Sequence, residues 1–359
     1  MLELLNELPQ YFMEGAIRSL DGFRRGLSDC YPMEDDPPPN NPYSVIYEGG
    51  KVRLRHYRAR GLVRRETPLL MVYALIKRPF ILDLMPGRSV VETMINSGFE
   101  VYMIDWIPPS RADSWRGFDA YVNQDIDNAV RAVQLREGVE QISLLGYCFG
   151  GMLSTMYTAL HQDVIKNFIP LTLPLDMSVR EIPLNSLLDR ITDETLDLIT
   201  KVYGNCPASI MKAGFTSMSP VHHALDKYVG LYRNKQSKGY AEMFDLFEHW
   251  MNNDVPLAGQ IFRELANDIG KKNLLAQSRF VAGGNRVELK DINCPVLNVV
   301  AQWDDVVDPK SSLPFIDLIS SRDKANVVFP TGHVGAVVSS AAQKKLWPQV
   351  ATWLGDHDA

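Results

Sequence analysis

The chain has 359 residues, 46% of them hydrophobic and 22% charged, with a formal net charge of −6. That is the composition of an ordinary globular protein with room for more than a minimal core, and the acidic balance excludes a nucleic-acid binder working through a basic face. No run of about 18 apolar residues is present to span a membrane.

In chain order, residues 4–26 read as an amphipathic helix. Leu4, Leu5, Leu8, Phe12, Ile17, Leu20 and Phe23 form its irregular apolar stripe. It suits packing on its own domain or docking to a partner. No signal-peptide pattern is seen at the start of the chain. Pro37–Pro39 and Asn40-Asn41-Pro42 break structure. Residues 44–48 and 51–58 then form a hairpin around Gly49-Gly50. Residues 1–65 are taken together as an N-terminal helical segment and hairpin.

From Pro68 onward, short apolar runs alternate with helical patterns. Leu69–Leu75, Val101–Ile104, Ser143–Gly146, Asn167–Leu171, Val296–Ala301 and Asn326–Phe329 read as strands. Asp119–Gln134 and Met152–His161 read as helices. That rhythm predicts a mostly parallel sheet with helices on both faces. Residues 66–175 and 286–359 form this core. The rhythm breaks over residues 176–285, a helical stretch rich in Met and aromatics, placed where such sheets carry a lid. Its stripe Tyr240, Phe244, Phe247 and Trp250 reads as lid core.

Cys30, Cys148, Cys206 and Cys294 lie far apart, without metal spacing. They suggest a reducing cytosol rather than a disulfide framework. The His222-His223 pair lacks a second ligand pair, so no zinc site is expected. No metal or cofactor is expected elsewhere. Cys294, ahead of a proline at a strand start, reads as inert core.

Cys148 is different. It sits in Gly-Tyr-Cys-Phe-Gly-Gly (146–151), directly behind the apolar run Ile142–Leu145. This is a nucleophile elbow with cysteine in the serine's place. A buried strand delivers the chain to a sharp turn, and Gly146 and Gly150 let the next helix pack close. The start of that helix points N–H groups at the site, which suits a thiolate and later an oxyanion. Two further groups follow in the order nucleophile, acid, histidine. Asp304 or Asp305 follows the strand Pro295–Ala301, and His333 follows the strand Asn326–Phe329. All three fall at strand C-termini, where open parallel sheets carry their active sites.

With these residues in view, nearly the whole chain resembles a polyhydroxyalkanoate synthase of the short, two-subunit kind, class III or IV. The landmarks are Pro-Leu-Leu-Met-Val-Tyr-Ala-Leu-Ile (68–76), Ile-Leu-Asp-Leu (81–84), Gly-Arg-Ser-Val-Val (87–91), Val-Tyr-Met-Ile-Asp-Trp (101–106) and the cysteine elbow. Asp-Ile-Asn-Cys-Pro-Val-Leu-Asn-Val-Val-Ala (291–301) and Gly-His-Val-Gly (332–335) complete them. The resemblance implies an α/β-hydrolase fold with an inserted helical lid. It places the nucleophile on Cys148, the aspartate on Asp304 and the general base on His333. The chain departs from the family at Asp305, where a histidine is usual, at Asp308, where a proline is usual, and at Lys77, often Asn.

The chemistry is coherent. A cysteine attacking an acyl thioester forms another thioester, so coenzyme A leaves in a nearly balanced step. The oxyanion needs two backbone donors: the N–H of Phe149, and one from the loop after the first core strand, near Ala74–Leu75. The resemblance implies transfer to the hydroxyl of another 3-hydroxyacyl-CoA, probed first with 3-hydroxybutyryl-CoA, and repetition into a polyester. Asp304 either orients His333 or assists that hydroxyl. The resemblance also implies an accessory synthase subunit, a homo-oligomer (a dimer), and a cytoplasmic location at polyester granules, for which residues 4–26 are a candidate anchor. Two other readings stay open: a cysteine-elbow hydrolase, such as a thioesterase or dienelactone-hydrolase-like enzyme, and a non-catalytic granule-binding protein.

Overall fold

The structure is a computed structural model describing residues 36–61, 63–179, 191–218 and 238–358. The amphipathic stretch 4–26, Cys30 and the His222-His223 pair lie outside the described residues.

Eight strands form one sheet: β1 (Ser44–Gly49), β2 (Val52–Tyr57), β3 (Leu69–Val72), β4 (Val101–Trp106), β5 (Ile142–Tyr147), β6 (Ile165–Leu171), β7 (Val296–Ala301) and β8 (Lys324–Phe329). Their spatial order is β1-β2-β4-β3-β5-β6-β7-β8. β2 runs antiparallel to both its neighbours, and every pairing from β4 to β8 is parallel. β3, β4, β5 and β7 are buried along their whole length. Covered on both faces, they read as unbroken apolar runs rather than alternating ones. The edge strands β1 and β8 are largely exposed.

The expected strands are all present, with two informative differences. β3 stops at Val72 rather than Leu75, and Tyr73–Leu75 leave the ladder. Here the following helix closes on the strand: a Cβ on Gly150 would lie 2.2 Å from the Val72 carbonyl oxygen. β4 runs two residues past Ile104 to Trp106, because the hairpin strand β2 pairs with its full length, Val52 opposite Trp106. The hairpin is therefore an edge of the main sheet.

Helices α1 (Val90–Asn96), α2 (Asp127–Glu137), α3 (Phe149–Leu160) and, at the far end of the chain, a helix at Trp347–Asp356 cover the sheet. α2 is preceded by a π-helical turn at Ala120–Ile126 and ends at Gly138, whose φ of 71° lies in the left-handed region that favours glycine. α1 is capped by Ser89, whose Oγ accepts from the Glu92 N–H at 2.8 Å. It packs against the Trp347–Asp356 helix.

Between β6 and β7 the described chain is mostly helical, with α4 (Asp193–Tyr203), α5 (Ala208–Met218), α6 (Lys238–Asn252) and α7 (Gly259–Glu264), followed by a short antiparallel pair, Val281–Ala282 and Asn285–Arg286. Trp250 of α6 is buried and packs on Phe247, ring centroids 5.7 Å apart. α7 is tied to the loop after β4: the Gln260 and Ile261 N–H groups donate to the Ser114 and Arg116 carbonyls at 2.8 and 3.1 Å. Among the described residues no helix is long and apolar enough to cross a membrane.

Candidate active site

β5 ends at Tyr147 and α3 begins at Phe149, so Cys148 alone makes the turn. Its φ of 55° and ψ of −118° are strained for a residue with a Cβ. The surroundings over-determine that conformation. The Cys148 N–H donates to the Leu171 carbonyl at 2.9 Å, and its own carbonyl accepts from Met152 at 3.1 Å. Gly146 and Gly150 are required by the close approach. A Cβ on Gly146 would lie 2.7 Å from Gly151 Cα, and one on Gly150 would enter the β3 backbone.

The acid and the base come from paired loops. The Gln302 N–H donates to the Phe329 carbonyl at 2.8 Å, and the Trp303 N–H to the Thr331 carbonyl at 2.9 Å. These bonds carry the β7 and β8 pairing past the strand ends and set Asp304 beside His333. Asp304 Oδ2 lies 2.7 Å from His333 Nδ1. Its Oδ1 accepts from the Val306 and Val307 N–H groups at 2.9 and 2.7 Å. Asp305 is exposed. Of the two neighbouring aspartates, Asp304 is the one that reaches the imidazole.

A carboxylate can only accept, so His333 Nδ1 carries the proton of that bond and Nε2 is the ring nitrogen left for the nucleophile. The Cys148 sulfur is close enough to His333 to raise the imidazole pKa. The His333 side chain is 8% exposed and that of Asp304 is 1% exposed. Burial alone would lower the imidazole pKa. The charge of Asp304, the Cys148 sulfur and the hydrogen bond to Asp304 outweigh it and hold His333 well above its usual range. The arrangement therefore favours an imidazolium beside a sulfur nucleophile. Cys206 and Cys294 contrast with it: burial pushes both thiols up to about 12.

Phe149 occupies the first position of α3, where a helix N–H has no partner within the helix. Ala74 is buried in the loop after β3, whose Val72 and Tyr73 carbonyl carbons face Gly150. The two expected oxyanion donors thus sit on the two segments that meet at the elbow.

Some residues of the site were not expected from sequence. The Tyr147 hydroxyl donates to the His333 carbonyl at 3.3 Å, and its ring stacks on the imidazole at 5.2 Å. Tyr147 lies inside the elbow motif, but the motif does not tell which way that side chain turns. Tyr73 packs on Tyr147 at 5.6 Å. Behind the loop that carries Ala74, Arg55 and Arg78 share two carboxylates. Asp105 lies 2.7 Å from Arg55 and 3.1 Å from Arg78, and Asp36 lies 2.9 Å from each. Burial works against the charge on Asp36, yet Arg78 and Arg55 hold it below the usual carboxylate range.

Elsewhere, His56, Glu100 and Glu137 bring ligand atoms within 4.8 Å of one another. The Arg64 guanidinium offsets one of the two carboxylate charges, 2.9 Å from Glu137 and 3.4 Å from Glu100.

A nucleophile elbow, an acid after β7 and a histidine after β8 on this strand order define an α/β hydrolase with a cysteine at the elbow. A family profile described as alpha/beta hydrolase fold matches residues 83–339. Among solved structures, a monoacylglycerol lipase from Paleococcus ferrophilus aligns with a TM-score of 0.51 and 14% identity, over 86% of this chain and 100% of that one. An esterase from Exiguobacterium antarcticum aligns with a TM-score of 0.52 and 13% identity, over 88% and 99%. At such identities the likeness speaks for the fold alone.

Curated relatives go further. Poly(3-hydroxyalkanoate) polymerase subunit PhaC of Haloferax mediterranei is 37% identical over 88% of this chain and 64% of its own length. The proteins of that name from Haloarcula marismortui and Allochromatium vinosum are each 35% identical, over 90% and 88% of this chain and 70% and 89% of theirs. The chain belongs to the poly(3-hydroxyalkanoate) polymerase PhaC family, a class of acyltransferases built on the α/β-hydrolase fold.

Proposed function

We propose that the chain polymerises (R)-3-hydroxyacyl-CoA, 3-hydroxybutyryl-CoA in the first instance, through a thioester on Cys148. The observation that carries this reading is a strained elbow cysteine whose sulfur raises the pKa of a His333 that Asp304 holds at 2.7 Å.

With its proton already on His333, the Cys148 thiolate attacks the thioester carbonyl. The N–H groups of Phe149 and of the Ala74–Leu75 loop receive the developing oxyanion. Collapse of the tetrahedral adduct expels the coenzyme A thiolate, which takes the proton back from His333. The acyl-enzyme is then attacked by the 3-hydroxyl of another hydroxyacyl group, and His333 accepts the hydroxyl proton as the ester forms. Cys148 is released for the next cycle. Asp304 keeps the imidazole in the tautomer and orientation both steps need.

Residues 176–285 act as a cap that excludes water, without which the intermediate would be hydrolysed. An accessory subunit, self-association as a dimer and a cytoplasmic location at the polyester surface belong to the same proposal. Incubation of the purified protein with 3-hydroxybutyryl-CoA tests it. Coenzyme A release with insoluble polymer supports the polymerase reading. Release with free 3-hydroxybutyrate and no polymer makes the chain a thioesterase instead.

A further inference from the structure

We propose that Lys77 and Asp254 form a clamp through which the cap sets the oxyanion loop, making Lys77 a positioning residue for acylation; this rests on the acyl-transfer reading above. Residues 73–78 run from the end of β3 past Ala74 to Arg78. On the core side the loop is fixed at both ends, by the Gly150 contact with Val72 and Tyr73 and by the Asp105 and Asp36 carboxylates on Arg78. On the other side it is gripped by the end of α6 and the residues just after it. The Lys77 ammonium lies 2.8 Å from Asp254 Oδ1 and donates to the Met251 carbonyl at 2.5 Å. It also stands 5.5 Å from the centre of the Trp250 ring. Lys77 and Asp254 form an isolated antiparallel bridge. The Val255 N–H donates to the Ile76 carbonyl at 3.2 Å, and Trp250 Nε1 donates to the Arg78 carbonyl at 3.0 Å.

The pair is held against its own solvation. The Lys77 and Asp254 side chains are 12% and 5% exposed. Asp254 Oδ2 is buried without a hydrogen-bond partner among the described residues. Burial pushes the lysine pKa down and the aspartate pKa up, with Lys212 of α5 as a further cation facing both. An apolar contact of the same volume would hold two elements together at less cost, so a buried pair here points to fixing one arrangement rather than to raw stability. Ala74 lies three residues before Lys77 in the same short loop. When the end of α6 is seated, the loop that carries Ala74 is held from both sides beside the elbow. When the cap lifts, Lys77 loses its carboxylate and the loop loses one wall. Acylation is thereby tied to a seated cap.

The experiment compares Lys77→Met, which keeps bulk and loses the ammonium, with Asp254→Asn, which keeps shape and loses the charge. Two rates are read on each folded variant. The burst of p-nitrophenol from p-nitrophenyl butyrate reports acylation, which needs the oxyanion donors. Iodoacetamide alkylation of Cys148 reports the thiol and His333, which do not. Each variant should lower the acylation rate roughly 10- to 100-fold, the size expected for a misplaced donor, with alkylation within about twofold of wild type. The double variant should be no slower than the slower single. Should Lys77→Met fail to fold, Asp254→Asn carries the same comparison. Acylation within about twofold of wild type in either variant would overturn the clamp, as would acylation and alkylation falling together. The burst needs acyl transfer to Cys148 but neither coenzyme A nor polymer, so a wild type that made no polyester would refute the polymerase reading and leave the clamp standing.

Discussion

Cys148, Asp304 and His333 were each legible in the sequence, because a nucleophile elbow and strand-end loops have local signatures. Position after the strand alone left Asp304 and Asp305 open, and the resemblance to the family chose Asp304. Both follow the same strand, and the bonds from Gln302 to Phe329 and from Trp303 to Thr331 decide which carboxylate faces the imidazole. Asp304→Asn should therefore lower turnover by roughly 10²-fold or more, since an amide at that place no longer stabilises the imidazolium. Asp305→Asn should stay within about threefold, a change too small to implicate a group in the chemistry. Equal losses would show that the two acids share the role. The raised His333 pKa also has a signed consequence for stability. The contribution of a protonated His333 is complete below its unfolded value of about 6.5 and disappears as pH rises through its higher folded value. The melting-temperature advantage of wild type over His333→Gln should then shrink from pH 6 toward strongly alkaline pH. An advantage that grew over that range would contradict the assignment.

Elements were legible where burial imposes a short apolar run, as in β7, whose expected and observed limits coincide at Val296–Ala301. They were less legible where tertiary pairing sets the limits. β4 is lengthened by β2, and β3 is cut short by α3. α1 was missed although Ser89 and Glu92 mark its start, because its seven residues are too few to show a helical period. The helix Trp347–Asp356 carries Pro348, which reads as a breaker; the π-helical turn Ala342–Leu346 runs straight into it, an irregular turn of the kind that takes up a missing N–H. The close approach of α3 to β3 gives the sharpest prediction. Gly150→Ala would place a methyl group 2.2 Å from the Val72 carbonyl oxygen, backbone against backbone. It should cost about 1–3 kcal/mol or more in chemical unfolding, the range for overpacking a tight core. It should also slow acylation by moving α3 away from the Ala74 loop. Unchanged stability would mean that the elbow is looser than its geometry indicates.

At the scale of the molecule, the strand rhythm was readable, because a parallel sheet requires alternating strands and helices, and the described residues between β6 and β7 are mostly helical. The contact between the end of α6 and the loop after β3 was not readable, since Lys77 stands out only as a departure from the family and Asp254 lies far from it in sequence. A cap that must admit a coenzyme A thioester and release a polymer gives a lag when its resting state is closed. A partner that binds the open state better shortens that lag. Progress curves with and without an accessory subunit should differ in this way, and full initial rate with no response to the subunit would remove that part of the proposal. The central claim is that polymer grows through a thioester on Cys148. It is tested most directly by quenching the protein within the first turnovers of 3-hydroxybutyryl-CoA and mapping the acylated peptide by mass spectrometry. The account predicts a hydroxybutyryl adduct on Cys148 that extends to oligomers with time, with adduct and polymer both absent from Cys148→Ala. Polymer made by Cys148→Ala, or an adduct on any other residue, would contradict it.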